Sequence, residues 1–500
     1  MIARAAGLVL HPTSLPGPCG IGDFGPGAAR FLDWAASAGQ SVWQVLPLGP
    51  TGYGDSPYLS QSSFGGNPFL VSPERLREED LLPEGALEDA PRFRDEEVEF
   101  PSVVSWKTQL LQASFERFRR SAPPALRARF EAFVEDPAQA DWLEDWALFS
   151  ALKDRYGGRE WTRWDRELVR REPGALDAAR RDLADEILYH EYLQFLFFRQ
   201  WESVRARGSA MGIRIMGDIP FYVAFDSADV WAHQRLFKLD ESGRPLAVAG
   251  VPPDYFSKTG QLWGNPIYRW DVMEREGFAW WLSRLRANLR LADFVRLDHF
   301  RGFAAFWEVP AGEPTAEKGE WVEGPGEKLF QAIRAALGDV PLVAEDLGLI
   351  TPDVAALRKE YGIPGMKVLQ FAFGEPDSDY LPDAIGEESV VYTGTHDNDT
   401  SRGWFASLLE EERKGILEVL GTDGREIEWD LLRAAYGSKA QLAMAPVQDV
   451  LGLGSEARMN TPGLESGNWA WRALPSAFTS ERAARLRTLV EQSERTRRAP

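Results

Sequence analysis

Residues 291–303 (LADFVRLDHFRGF) join an apolar stretch to an arginine, an aspartate and a histidine. The first part has the apolar and β-branched composition of a buried strand. Because side chains alternate along a strand, Arg296 and Asp298 share one face. A guanidinium beside a carboxylate favours the ionised form, and an ionised carboxylate can act as a nucleophile. For this pair alone, a structural ion pair is the alternative interpretation.

Two more acidic residues, Glu345 and Asp397, also follow apolar strand-like stretches. Crowded like charges raise the pKa of one carboxyl group, which then keeps its proton near neutral pH beside an ionised partner. Cleavage of a glycosidic bond needs such a pair. Metal binding is the rival use of clustered acids, but the chain has no His-x-x-x-His or Asp-rich calcium loop. We therefore expect no metal site and no cofactor.

The elements that must position these residues alternate between strand and helix patterns along the chain. Strands are predicted at residues 7–10, 41–46, 213–217, 291–298, 341–348, 367–373, 389–395 and 441–451. This alternation predicts an α/β protein, a (β/α)8 TIM barrel, whose chemistry takes place at the carboxyl ends of the strands. Residues 248–266 are predicted to be a long aromatic loop.

The helical patterns are concentrated in one region, residues 74–207, which is too long for a single barrel crossover. We predict that residues 1–73 begin the barrel, that 74–207 form a helical insertion between strands two and three, and that 208–500 complete the barrel. About 50 residues follow the eighth strand, too few for an added β-sandwich of about 100. No C-terminal β-domain is therefore expected.

The net charge of −20 over 500 residues argues against nucleic acid or an anionic membrane as a partner. A neutral ligand fits better. The one cysteine, Cys19, excludes an intramolecular disulfide. The N-terminus lacks a signal-peptide pattern, and no apolar run reaches membrane-spanning length. We expect a cytoplasmic monomer.

Motifs spread over nearly the whole chain carry a resemblance to a known family. They are, in order, "SLPGPCGIGDFG", "WQVLPLGPTGYGDSPY", "GDIPFYVAFDSADVW", "PPDYFSKTGQLWGNPIY", "VRLDHFRGF", "AEDLG", "GTHDNDT", "QDVLGLGSEARMNTPG" and "NWAWR". In this order they resemble the amylomaltases, bacterial 4-α-glucanotransferases related to the α-amylases. The resemblance implies transfer of α-1,4-glucan segments to the 4-hydroxyl of another glucan or of glucose.

The resemblance also implies roles for the three acids. Asp298 would be the nucleophile and Glu345 the general acid/base of a retaining double displacement. Asp397 would grip and distort the sugar at the point of cleavage. Substrate-binding positions are implied as well: Arg296, His299, His396, Asp218, Ser56, Tyr58, Tyr255, Phe256, Gln261, Trp263 and Asn468.

Tyr255, Phe256, Gln261 and Trp263 belong to a loop, residues 246–268, that covers the active site in this family. One position departs from the family pattern. An acidic residue commonly follows "FAF", whereas Gly374 here precedes Glu375, so no sugar contact is assigned there.

Two alternatives to a transferase remain at this point. An α-amylase-like hydrolase would use the same first half-reaction. A catalytically inactive glucan-binding protein would have no need of a matched acid and nucleophile.

Overall fold

The computed structural model describes residues 4–253, 257–348, 350–464 and 466–496. Its strands, in chain order, are β1 (Ala5–Val9), β2 (Val42–Gln44), β3 (Arg214–Ile219), β4 (Ala247–Val251), β5 (Gln261–Pro266), β6 (Phe294–Leu297), β7 (Ala305–Pro310), β8 (Glu320–Glu323), β9 (Leu342–Ala344), β10 (Gly365–Val368), β11 (Ser389–Tyr392) and β12 (Leu442–Pro446).

Eight parallel strands close into a barrel in the order β1-β12-β11-β10-β9-β6-β3-β2. The predicted (β/α)8 barrel is confirmed. Its register matters for the site: Leu297 of β6 pairs with Ala344 of β9. The residues that follow them, Asp298 and Glu345, therefore leave neighbouring strands at the same level.

The barrel interior is filled by apolar side chains, with little space left over. Residues from several strands form this cluster, among them Val42, Met216, Phe294, Val343, Met366, Tyr392 and Met444. A Cβ added at Gly7 of β1 would lie 2.6 Å from Met444 Sδ and 2.7 Å from Val42 Cβ. Glycine is therefore required at this level of the core.

The helices are α1 (Pro26–Ser37), α2 (Pro73–Glu78), α3 (Phe100–Ser121), α4 (Pro124–Val134), α5 (Leu143–Arg155), α6 (Arg166–Val169), α7 (Pro173–Asp182), α8 (Ala184–Ala210), α9 (Ala228–Ala232), α10 (Trp270–Arg275), α11 (Ala279–Leu291), α12 (Gly326–Leu337), α13 (Pro352–Glu360), α14 (Ser401–Ser407), α15 (Glu410–Leu420), α16 (Ile427–Gly437), α17 (Val447–Leu451) and α18 (Ser480–Gln492). Helices α2–α8 lie between β2 and β3, as the predicted insertion requires. The boundaries at 73 and 207 remain predictions.

Most predicted strands extend past the observed ones, and the sixth and eighth do so by the most. The sixth ends at Val368, where a 3-10 turn (Leu369–Phe371) begins, and the eighth ends at Pro446. The proline is the N-cap of α17, which contains the last residues of the predicted eighth strand. Apolar residues continue through both boundaries, so hydrophobicity alone does not reveal where either strand ends.

The prediction that residues 248–266 form one loop is wrong at both ends of this segment. They contain most of β4 and all of β5, which pair antiparallel in a second sheet ordered β5-β4-β7-β8. These strands are short and rich in glycine and proline, and β4 also pairs with β7, which is distant in sequence. Local composition therefore gave no strand signal.

Helix α8 of the insertion anchors the loop that follows β2. Gln194 accepts a hydrogen bond from Gly66 N at 2.7 Å and donates one to Gly66 O at 2.9 Å. Gln200 accepts from Ser72 N at 2.7 Å. All four residues are buried, so the insertion satisfies backbone groups of this loop at two positions that water cannot reach.

Among the described helices, none is long and apolar enough to cross a membrane. After β12, the described chain contains α17, a 3-10 turn and α18, and no further strand.

The fully buried Arg495 joins the beginnings of β1 and β12, the first and last strands of the barrel, which pair with each other. Its guanidinium donates to the carbonyls of Ala5, Gln441, Tyr436 and Ser438. Arg495→Met should lower the free energy of unfolding by roughly 2–4 kcal/mol, because buried carbonyls lose their donors. Urea denaturation measures the change. Arg487→Met, at an exposed arginine of α18, is the control, and an equal loss there would contradict the role of Arg495.

Candidate active site

Arg296 lies at the centre of the acidic residues at the carboxyl end of the barrel. Its side chain is 4% exposed. Nη1 donates to both carboxylate oxygens of Asp218, at 2.8 and 2.6 Å, and Nη2 donates to Asp298 Oδ1 at 2.6 Å. The pairing of β3 with β6 sets Asp218 opposite Arg296. The predicted shared face of Arg296 and Asp298 agrees with this ion pair.

The two carboxylates differ in exposure. Asp218 is fully buried, whereas 28% of the Asp298 side chain is exposed. Burial raises the pKa of Asp218 to about 6 against the opposing charge of Arg296. Asp298 is therefore the more accessible of the two, and Asp218, which was predicted to bind substrate, is instead paired with Arg296 and Tyr58.

Glu345 follows β9 and is held by two backbone N–H groups. His299 N donates to Oε2 at 2.7 Å, and Leu347 N donates to Oε1 at 3.0 Å. His299 has a left-handed backbone (φ 49°), a conformation that costs a non-glycine residue of order 1 kcal/mol or more. Its N–H is directed at Glu345 in that conformation.

The pKa of Glu345 is raised to about 7. Burial is the largest cause and the charge of Asp298 the next, while Arg296 and the two backbone hydrogen bonds act in the opposite direction. A carboxyl group with this pKa holds a proton for a large fraction of the time at neutral pH, as a general acid must.

Asp397 lies in the turn after β11. Asn460 Nδ2 donates to its Oδ1 at 2.6 Å, and His396 Nε2 lies 3.3 Å from its Oδ2. Burial alone would raise the pKa of Asp397, but His396 and Asn460 hold it well below the usual range. Its side chain is 47% exposed, so the ionised carboxylate is open to solvent.

Tyr58 connects Asp218, the partner of Arg296, with His396, the neighbour of Asp397. Its hydroxyl donates to Asp218 Oδ2 at 2.8 Å and lies 3.4 Å from His396 Nδ1. Its ring stacks on His396 with centroids 4.8 Å apart. Ser56 accepts a hydrogen bond from Tyr58 N at 3.3 Å and so caps the turn. Asp218, Asp298, Glu345 and Asp397 are thereby linked through contacts with Arg296, Tyr58, His396 and the backbone of His299.

The remaining predicted residues have different surroundings. The ring of Trp263 meets His299 edge to face with centroids 4.9 Å apart, and its Nε1 donates to Gln261 Oε1 at 3.1 Å. Asn468 accepts from Thr461 N and donates to Leu464 O, both in its own loop. Gly374 and Glu375 are exposed. Tyr255 and Phe256 lie outside the described residues.

Sequence reasoning missed Asn460 and Arg458. Arg458 Nη2 donates to the carbonyl of Asp397 at 2.7 Å, and its Nε donates to Asn460 O at 2.8 Å. Both residues stand in the "ARMNTPG" segment, more than sixty residues after Asp397. Nothing in their spacing connects them with that carboxylate.

Within the part of the chain that the structure describes, no three histidine, cysteine or acidic side chains are grouped so as to hold a metal ion. The site instead has a salt-bridged carboxylate beside a carboxyl group with a raised pKa. On the carboxyl end of a (β/α)8 barrel, this combination is that of an enzyme that acts on glycosidic bonds.

Comparisons with known proteins agree with this class. The family model for glycoside hydrolase family 77, 4-alpha-glucanotransferase, matches residues 10–476. The chain is 53% identical to a 4-alpha-glucanotransferase of Thermus thermophilus, over 99% of both proteins. It is 46% identical to the chloroplastic/amyloplastic enzyme of Solanum tuberosum, over 95% of this chain and 83% of that one.

A solved structure, amylomaltase from Streptococcus agalactiae in complex with acarbose, has a TM-score of 0.95 to this chain. The two are 36% identical, over 99% of this chain and 100% of that one. The chain therefore belongs to the 4-α-glucanotransferases of glycoside hydrolase family 77. It is a glycosyl-transferring enzyme.

The charge of Asp298 contributes to the high pKa of Glu345, so Asp298→Asn should lower that pKa. The value can be read from the 13C NMR titration of labelled glutamate side chains. Asp397→Asn is the control, because Asp397 is not among the main causes of the shift. An unchanged Glu345 titration in Asp298→Asn would show that burial alone sets the pKa.

Proposed function

We propose that Asp298, Glu345 and Asp397 carry the glycosyl transfer and that the substrates are α-1,4-glucans. The observation that carries the proposal is the pairing of Asp298, which is held by Arg296, with Glu345, whose pKa is about 7. One group is suited to attack and the other to give and take a proton.

The first half-reaction breaks the glycosidic bond. Asp298 Oδ attacks the anomeric carbon as Glu345 transfers its proton to the leaving glycosidic oxygen, which gives a β-linked glycosyl-enzyme. The part of the donor glucan on the reducing-end side of the cleaved bond departs with a new 4-hydroxyl. In the second half-reaction Glu345 takes the proton from the 4-hydroxyl of an acceptor, whose oxygen displaces Asp298 and restores the α-linkage.

Sugar hydroxyls would meet polar groups around this centre. The exposed, ionised Asp397 can accept hydrogen bonds from two neighbouring hydroxyls. His299 Nε2 is buried and has no hydrogen-bond partner in the described part of the chain. Burial lowers the pKa of His299 to about 4, so a neutral imidazole would contact the sugar.

Transfer rather than hydrolysis requires that an acceptor sugar, not water, reaches the intermediate. Trp263 of β5 lies against His299, next to the nucleophile. An aromatic face packs on the C–H surface of a sugar ring and excludes water from it. We propose for this reason that Trp263 limits the access of water to the intermediate. Cytoplasmic location and the monomeric state remain predictions from the sequence.

Incubation with maltotriose tests the function. We expect glucose and a ladder of longer maltosaccharides while the total of reducing ends stays constant. Asp298→Asn and Glu345→Gln should each lower kcat by more than about a thousandfold with substrate still bound. A steady rise in reducing ends would identify a hydrolase, and unchanged maltotriose a glucan-binding protein. Substantial turnover by Asp298→Asn would refute the assigned nucleophile.

Trp263→Ala should increase the fraction of intermediates that water resolves, because the ring that excludes water is removed. The ratio of reducing ends formed to glycosyl transfers, measured on maltotriose, should rise several-fold, roughly threefold to tenfold. Trp321→Ala, at a half-exposed tryptophan of the edge strand β8, is the matched control. An unchanged ratio in Trp263→Ala would exclude Trp263 from acceptor selection.

A further inference from the structure

A short segment, residues 458–460, is hydrogen-bonded to the backbone of Asp397 and its neighbour His396. Arg458 donates to the carbonyls of Asp397 and Asn460, at 2.7 and 2.8 Å. Asn460 N donates to His396 O at 3.1 Å, and Trp469 N donates to Met459 O at 2.7 Å. The backbone on both sides of the Asp397 carboxylate is therefore tied to the same short segment.

The side chain of Asn460 contacts the carboxylate of Asp397 itself. Its Nδ2 donates to Asp397 Oδ1 at 2.6 Å, and the other carboxylate oxygen lies 3.3 Å from His396 Nε2. Because a carboxylate only accepts, the amide must present its N–H group. Each of the two carboxylate oxygens therefore has one of these contacts, which restricts rotation about the Cβ–Cγ bond of Asp397. Nearly half of the side chain is still exposed.

We propose that Asn460 is a positioning residue for glycosyl transfer, which holds Asp397 Oδ1 so that the carboxylate faces the sugar in one orientation. The inference rests on the proposed role of Asp397 in gripping the sugar. A carboxylate that rotates freely would bind the undistorted sugar almost as well but would lose the geometry needed in the transition state. The contribution of Asn460 should therefore appear mainly in kcat.

Asn460→Ala removes the donor at every pH. We expect kcat on maltotriose to fall about ten- to a hundredfold, the range for a hydrogen bond to a charged group. KM should change by less than about threefold. The ratio of variant to wild-type kcat should be independent of pH.

Asn460→Asp should make the relative kcat depend on pH, which would not be expected if Asn460 only packed against its neighbours. The new carboxyl group lies against Asp397, so the two share one proton at low pH, and the protonated member still donates. As the pH rises that proton is lost and the two negative charges repel. We expect variant kcat relative to wild type to fall at least about tenfold between about pH 5 and about pH 8.

Other titratable or charged groups near this pair are His396 in the same turn, Arg296 on β6, Tyr58 and Arg458. They are unchanged in both enzymes, so the ratio removes their common contribution. Asn67→Asp is the matched control. Asn67 is a buried asparagine whose side chain caps a 3-10 turn, and a carboxylate can accept the same hydrogen bond there. Its ratio should stay flat with pH.

Asp397→Asn separates failure of this inference from failure of the proposed function. If Asp397→Asn is impaired while Asn460→Ala keeps wild-type kcat, only the role of Asn460 is overturned. If Asp397→Asn is itself fully active, the proposed role of Asp397 is overturned. A flat pH ratio in Asn460→Asp, with thermal unfolding near that of wild type, would also overturn the inference.

Discussion

The buried guanidinium of Arg296 is the constraint on which the catalytic end of the barrel depends. Removing charges from water costs several kcal/mol for each ion unless the ions are paired in good geometry. The register of β3 and β6 meets this requirement, because Asp218 stands opposite Arg296 and Asp298 follows two residues later on the same face. Strand pairing, rather than loop conformation, thus orients Asp298.

Sharing Arg296 between two carboxylates also affects Glu345. If Asp298 were the only carboxylate paired with Arg296, the positive charge of Arg296 would largely cancel the negative charge that Glu345 experiences. Asp218 takes both hydrogen bonds of Nη1, and the charge of Asp298 raises the pKa of Glu345.

The sequence was sufficient for features that depend on local periodicity. Alternation along one strand predicted the shared face of Arg296 and Asp298, and the repeated strand and helix patterns predicted the barrel. The second sheet was not predictable in this way, because β4 pairs with β7 across more than fifty residues. The contact of Asn460 with Asp397 likewise joins residues that only the closed barrel brings together.

The helical insertion contributes to the site although it supplies none of the carboxylates. Gln194 and Gln200 of α8 bond to the backbone of the loop after β2, and that loop carries Tyr58. The hydroxyl of Tyr58 contacts both Asp218 and His396, so its position affects both charged groups. The buried part of this loop needs partners for its backbone polar groups, and helix α8 provides them at Gly66 and Ser72. Catalytic geometry in this barrel therefore depends on residues well outside it.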